Sequence, residues 1–370
     1  MSNKINNKLY IVAYLAINIL FILKYGLRYF SWSSSVLISI AYICFILLFF
    51  YLFKKVNFKV IFLPLVVAFL LLVLLQYYID PYQLQVDRWS AIHNFLKNLF
   101  SGIYPYSAQT HLGGYGSPFP IWQLLHIPFY WLGNVGLSVF ITVVVFIDAI
   151  RRLFDIKRAV FAFALLVLSP AFVYEVTVRS DLMTNFLLCA GLIMYFVHYK
   201  ISLDNHFCFL AIFFGLVAST RLSAVIPFGV YFLYDFIRLG FRRQSLLILI
   251  SLIVFVSTFI PFFLWDGEML LFFEYNPFVL QSRQGNITDF IVFIPIGIWL
   301  SLSWKGSFSK YSFHTALLLI LLVVITFIHN MYINNNWYEL FESAYDITYF
   351  NMSLPFLITA LLSQYDRDDQ

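Results

Sequence analysis

Charge is what this sequence has least of. Only 11% of its 370 residues are charged, against 62% hydrophobic. A soluble domain carries about a quarter charged residues, so a soluble globular fold is excluded. No polar stretch is long enough to form a separate domain beside the apolar part. Familiar chemical motifs are missing too. There is no glycine-rich phosphate loop, no HExxH and no CxxC pair, which argues against P-loop nucleotide hydrolysis, zincin-type proteolysis and dithiol chemistry. The three cysteines, Cys44, Cys189 and Cys208, stand in or beside apolar runs without paired spacing. They read as buried structural thiols. No internal repeat at a fixed period is visible, and the tail DRDDQ reads as a solvated end.

What is present is a succession of apolar runs near twenty residues, long enough to cross a hydrocarbon core of about 30 Å as helices. The expected fold is all-α: a polytopic helical membrane protein with twelve spans, at about 9–29, 35–53, 57–78, 135–150, 159–176, 182–199, 205–220, 222–238, 245–265, 289–304, 312–329 and 346–363. The first run follows Lys4 and Lys8 but lacks a small-residue cleavage site, so it reads as a retained span. Basic clusters set the orientation. Lys54/Lys55/Lys59, Arg151/Arg152/Lys157/Arg158, Arg238/Arg242/Arg243 and Lys305/Lys310 belong on the cytoplasmic side, which puts both termini inside. The outer face then gathers loops 79–117, 175–181, 266–288 and 330–345. The whole chain, 1–370, is expected to be a single transmembrane domain.

Loop 79–117 and the stretch after it hold the largest concentration of polar and aromatic residues. Ser117 to Gly133 is apolar but short and contains Pro118, Pro120 and Pro128. A partial or re-entrant helix over 118–133 satisfies the parity of the spans. Such backbone is tolerated at membrane depth only against protein or a water-filled cavity. Residues 87–100 form an amphipathic helix with Ile92, Phe95, Leu96 and Leu99 on one face. The expected position of that helix is the membrane plane.

Asp87 stands where the apolar run meets water. Partial desolvation there raises a carboxylate's pKa and makes it a better base. Its plainer role is a negative charge at the positive end of the amphipathic helix. Arg88, Arg179, Arg221 and Arg283 are the cations suited to bidentate phosphate binding, although each alone also fits an interfacial anchor. Arg221 is distinctive because it lies within an apolar stretch, where an ionisable group is a functional candidate by default. Asp181 precedes LMTNFLL and fits either a site acid or a helix cap. Tyr104, Tyr106, Tyr115 and Trp122 suit stacking on sugar rings or, more plainly, an aromatic belt. His93, His111 and His126 have no metal-ligand spacing; His111 is grouped with the substrate-binding residues. Glu339, Glu342 and Asp346 read as solvated acids. The Asn286-Ile287-Thr288 sequon carries meaning only in a glycosylating secretory pathway.

The order of these elements resembles a known family. An acid just after a span is followed by Gly102-Ile103-Tyr104-Pro105-Tyr106, then by Gly116-Ser117-Pro118-Phe119-Pro120 and a helix closing at Leu132-Gly133. This is similar to the first outer loop of the GT-C glycosyltransferases. Those integral membrane enzymes, including mannosyltransferases, take sugars from polyprenyl-phosphate carriers. Leu168-Ser169-Pro170 with Arg179-Ser180-Asp181-Leu182-Met183 resembles their second acidic site. Ala218-Ser219-Thr220-Arg221, followed by Pro227, resembles their basic turn. The likeness covers roughly 75–240. Two features depart from it: two spans precede the one leading into the loop, and Arg88 stands where many members have a second acid. Asp80 therefore remains an alternative to Asp87.

The resemblance implies a GT-C-like fold and an inverting transfer; no cofactor is expected, and the spacing of the histidines gives no metal site. The sugar would pass from a polyprenyl-phosphate donor to a hydroxyl of a glycan or lipid acceptor. Asp87 and Asp181 would be the catalytic acids, and Arg88, Tyr104, Tyr106, His111, Arg179, Arg221 and Arg283 the binding residues. The setting would be a bacterial inner membrane with the site facing outward, in contact with membrane lipids and with no nucleic-acid partner. An O-antigen-type polysaccharide polymerase is the rival among enzymes. A lipid-linked sugar transporter or flippase is the rival from another class, but it would spread polar residues along several spans.

Overall fold

The computed structural model describes residues 2–272, 274–282, 285, 287–304, 306–337 and 345–362. Its elements in order are α1 (Ser2–Gly26), α2 (Trp32–Phe53), α3 (Phe58–Tyr78), α4 (Arg88–Phe100), α5 (Pro120–Leu125), α6 (Ile127–Trp131), α7 (Ser138–Leu153), α8 (Ile156–Val167), α9 (Pro170–Thr177), α10 (Leu182–His198), α11 (Phe207–Ala218), α12 (Val225–Arg238), α13 (Phe241–Ser257), α14 (Ile260–Leu271), α15 (Pro277–Ser282), α16 (Ile287–Ser303), α17 (Phe308–Asn334) and α18 (Leu354–Leu361). Among the described residues the one β contact is an isolated bridge between Gln109 and Tyr115.

Four described helices are long and apolar enough to cross a membrane: Lys8–Gly26 within α1, then α2, α3 and α17. The number reaches six if each of two sharply bent pairs, α8 with α9 and α13 with α14, makes one span. At 1.5 Å per residue the 21 residues of α3 extend about 31 Å. α10, α11 and the helical segments Thr288–Ser303 and Ile347–Leu361 are apolar but shorter. Many apolar runs are therefore shorter as helices than as sequence, because breaks interrupt them. At the first bend, 67°, Ser169 caps α9 and Pro170 occupies its first position. Proline there forfeits no helical bond. Asn18 of α1 fills the break, its Oδ1 accepting from Ser169 Oγ at 2.5 Å and Ala171 N–H at 3.3 Å.

α18 is buried on every side, as a helix apolar all round must be in a protein interior. It packs against α17 and α1, while α10 lies along α7. α2, α3 and α13 instead turn Leu37, Leu63, Leu74 and Ile253 outward. That surface suits hydrocarbon. Cys189 is buried as expected, but Cys44 on α2 and Cys208 on α11 are exposed. Their runs are apolar because they face outward, not because they are covered.

Three chain ends are tied at one level. Gln76, near the end of α3, donates to Val176 O at 2.9 Å and Gly136 O at 3.3 Å, and accepts from Asn134 Nδ2 at 3.0 Å. α3 thus ends where α7 begins and where α9 ends. The intervening loop leaves and returns at that level. Within it, 118–133 folds as the short helices α5 and α6. The loop has its own core: Trp89, Ile92, Phe95 and Leu96 of α4 pack with Tyr106, Phe119 and Trp122, and with Phe259 and Phe262 at the bend of α13 into α14. Instead of lying free in the membrane plane, α4 turns its apolar face onto protein.

Candidate functional site

The site is built where helices stop. α11 ends at Ala218, and Arg221 continues in extended backbone. The carbonyls of Ser219 and Thr220 accept Ile121 N–H at 3.1 Å and Phe119 N–H at 3.2 Å. Pro120 starts α5 at that contact, so the turn after α11 positions Trp122. Trp122 Nε1 then donates to Asp181 Oδ2 at 2.6 Å, and Arg221 Nη2 donates to the same oxygen at 2.5 Å. Asp181 is 3% exposed and Arg221 8%. Both donors converge on one oxygen. Asp181 Oδ1, Arg221 Nε and both amide atoms of Gln123 are buried without a hydrogen-bond partner among the described residues. Burial alone would raise the Asp181 carboxyl; Arg221 and Arg88 outweigh it and hold the group below the ordinary carboxylate range.

Beside this pair, Arg88 donates to Ser180 Oγ at 3.2 Å and to Asp346 Oδ2 at 2.6 Å, with its guanidinium over the Tyr349 ring. Glu175, fully buried near the end of α9, accepts Met183 N–H and Asn351 Nδ2, each at 2.7 Å. Asp346, expected to be solvated, is therefore half of an ion pair. Glu175 and Asn351 escaped the sequence reading altogether. The signal for Glu175 was there: a lone acid inside the apolar run FVYEVTV is a functional candidate.

Asp87 sits immediately before α4, yet its carboxylate makes no capping bond to that helix among the described residues. It accepts instead from Thr110 Oγ1 at 2.7 Å. Thr110 belongs to a tight turn in which Thr110 N–H donates to Gly114 O and Gly113 takes a positive φ. A side chain at Gly114 would begin 3.3 Å from Asp87 Oδ2. Asp87 is half-buried at the mouth of this turn. Asp80, the alternative acid, is exposed and accepts Tyr82 N–H as a turn cap.

Other expected site residues are occupied elsewhere. Tyr106 is 1% exposed, packed between Phe95 and Phe262. Tyr104 is buried against Trp265. Both belong to the core of loop 79–117. His111 spends Nδ1 on Ser90 Oγ and Nε2 on Leu84 O, fastening the loop to α4. Arg179 takes a left-handed φ of 53° and donates to the carbonyls of Gln76 and Ile79, holding the end of α3. Tyr115 lies against Tyr275. His126 is buried between Trp122 O and Ser138 Oγ. Arg283, Glu339, Glu342 and Asn286 lie outside the described residues. So Asp181, Arg88 and Arg221 come together, Asp87 stands one residue from Arg88, and Tyr104, Tyr106, His111 and Arg179 serve the scaffold.

An apolar cavity of about 430 Å³ opens between α11, α12 and α13. Phe214, Leu222, Val225, Phe228, Leu252 and Phe255 line part of it. Ala218 and Leu222, on either side of the turn that carries Arg221, line it; Arg221, Asp181 and Arg88 do not. No protein-family model, no curated protein and no solved structure matches this chain.

Proposed function

We propose that the protein is a GT-C-like membrane glycosyltransferase. It would move a sugar from a polyprenyl-phosphate donor to a hydroxyl on a glycan or lipid-linked acceptor. The observation that carries this reading is the buried Asp181–Arg221 pair with its unspent hydrogen-bonding atoms, next to Arg88; Leu222, the residue after Arg221, lines an apolar cavity. Cations beside an apolar slot suit a phosphate on an isoprenoid chain. The acceptor oxygen would attack the anomeric carbon as the bond from that carbon to the phosphate oxygen breaks. Polyprenyl phosphate departs with the electron pair, and Asp87 takes the acceptor proton. Phosphate is a good leaving group, so a base and cations suffice.

On this reading the shorter apolar helices also span, giving twelve crossings with both termini inside. The protein would lie in a bacterial inner membrane with the site on the outer side. The test is transfer by purified protein in nanodiscs from polyprenyl-phosphate mannose, glucose and galactose. Release of polyprenyl phosphate with an acceptor present supports the reading. Movement of intact donor across the bilayer without release favours a flippase and removes the enzyme.

A further inference from the structure

We infer that Asp346 is a positioning residue of the site, acting through Arg88 on Asp87, and that the segment 345–352 forms a wall of that site. The inference rests on the glycosyltransferase reading.

Asp87 makes no capping bond to the head of α4 among the described residues; its carboxylate accepts from Thr110 Oγ1 instead. The next residue ties that end of α4 to Ser180 and Asp346. The Arg88 side chain is 14% exposed and is held by three groups: Ser180 Oγ, the Tyr349 ring and Asp346 Oδ2. Of these three only Asp346 carries charge. Asp346 is itself held firmly, because its Oδ1 accepts both the backbone N–H (2.9 Å) and the hydroxyl (2.6 Å) of Thr348. The same segment is tied down on either side. Lys24 of α1 donates to Tyr345 O, and Asn351 donates to Glu175. A rigid carboxylate thus holds a nearly buried guanidinium at the first residue of α4, adjacent to the candidate base. Small displacements of a reacting group far outweigh their size in rate, on the order of 10²-fold for 1 Å.

The experiment measures release of polyprenyl phosphate from polyprenyl-phosphate mannose, glucose and galactose by the full chain in nanodiscs with a lipid-linked glycan acceptor present. kcat and donor KM are obtained separately for wild type, Asp346→Asn, Asp346→Glu and Thr348→Val. Thr348→Val keeps the buried shape and removes only the hydroxyl donor to Asp346, so it tests the idea even where Asp346→Asn does not fold. Expected results are a kcat lower on the order of 10²-fold in Asp346→Asn, a smaller loss in Thr348→Val and partial recovery in Asp346→Glu, whatever donor KM does. Unchanged kcat in folded Asp346→Asn and Thr348→Val, with wild type active, overturns this inference alone. A raised KM at constant kcat also overturns it, since Asp346 would then serve donor binding. An inactive wild type overturns the transferase reading and this inference with it.

Discussion

Arg221 and Asp181 stand 40 positions apart and meet at 2.5 Å inside the protein, on an oxygen that Trp122 also binds. One contact thus joins the turn after α11, the head of α10 and the short helix α5. Breaking a buried pair by removing one partner strands the other charge, at a cost of about 3–5 kcal/mol. Arg221→Ala is therefore expected to lower stability as well as donor use. Arg221→Lys should recover much of the stability and only part of the donor use, because a point charge replaces a planar fork. Thermal unfolding and donor KM on the same preparations check this. Unchanged donor KM in folded Arg221→Ala removes the phosphate role.

The same pair gives a signed dependence on pH. The folded Asp181 carboxyl lies below its ordinary value; burial opposes that shift, and Arg221 and Arg88 overcome it. A group depressed on folding contributes stability that is fully present above its unfolded pKa, about 3.9. That contribution is lost as pH falls through the folded value. Asp181→Asn should lower Tm near neutrality, and its gap from wild type should narrow only on acidification below about pH 4. A Tm series over pH checks it. A gap that closes between pH 8 and 6 contradicts the depressed carboxyl.

Much of the scaffold was legible in the sequence because apolar runs and helix punctuation are local signals. α3 at Phe58–Tyr78 nearly coincides with the expected 57–78, and Asn57 caps it. The turn at Arg221 was visible as a lone cation in an apolar stretch. Less legible was which aromatic residues the loop would consume. Tyr106 and Tyr104 look alike in sequence as sugar-stacking or belt residues, and only the packing of α4 against the bend at Phe262 shows that both are buried. Asp346 was illegible for a related reason: its partner Arg88 lies 258 positions away, and local pattern carries no trace of that pairing.

Sidedness is the next prediction. Gln76 and Asn134 tie the end of α3 to the start of α7, and α7 then runs 16 residues to Arg151 and Arg152 near its far end. Single cysteines at Gln109 and Lys157, in a background lacking Cys44, Cys189 and Cys208, should react with membrane-impermeant reagent from opposite sides. Labelling of both from outside contradicts this arrangement of α3 and α7.

Gly136 offers a test of the packing beneath the site. A Cβ there would fall 2.8 Å from Arg179 Cβ and 3.0 Å from Gln76 Oε1. Gln76 is already engaged with Val176 and Asn134, so it cannot yield freely. Gly136→Ala should destabilise by about 1–3 kcal/mol, as overpacking does, and should loosen the junction of α3, α7 and α9. A chemical unfolding midpoint equal to wild type would show that Arg179 can move without loss.

Asp87 remains the residue on which the proposed chemistry turns. Its carboxylate is half-buried, bonded to Thr110 Oγ1 and not committed to capping α4. Asp87→Asn keeps the shape and still accepts from Thr110, but cannot take a proton. Positioned bases contribute about 10²–10⁴-fold, so turnover should fall by that order while donor binding persists. If Asp87 is only a charge at a helix N-terminus, its loss costs about 0.3–1 kcal/mol of stability and little activity. Asp80→Asn is the matched control, because Asp80 is an exposed turn cap on Tyr82. The measurement is turnover of both variants in nanodiscs, normalised to folded protein. Loss in Asp80→Asn with normal turnover in Asp87→Asn moves the base to Asp80. Normal turnover in both removes this loop from the chemistry and leaves transport of a lipid-linked sugar as the function to pursue.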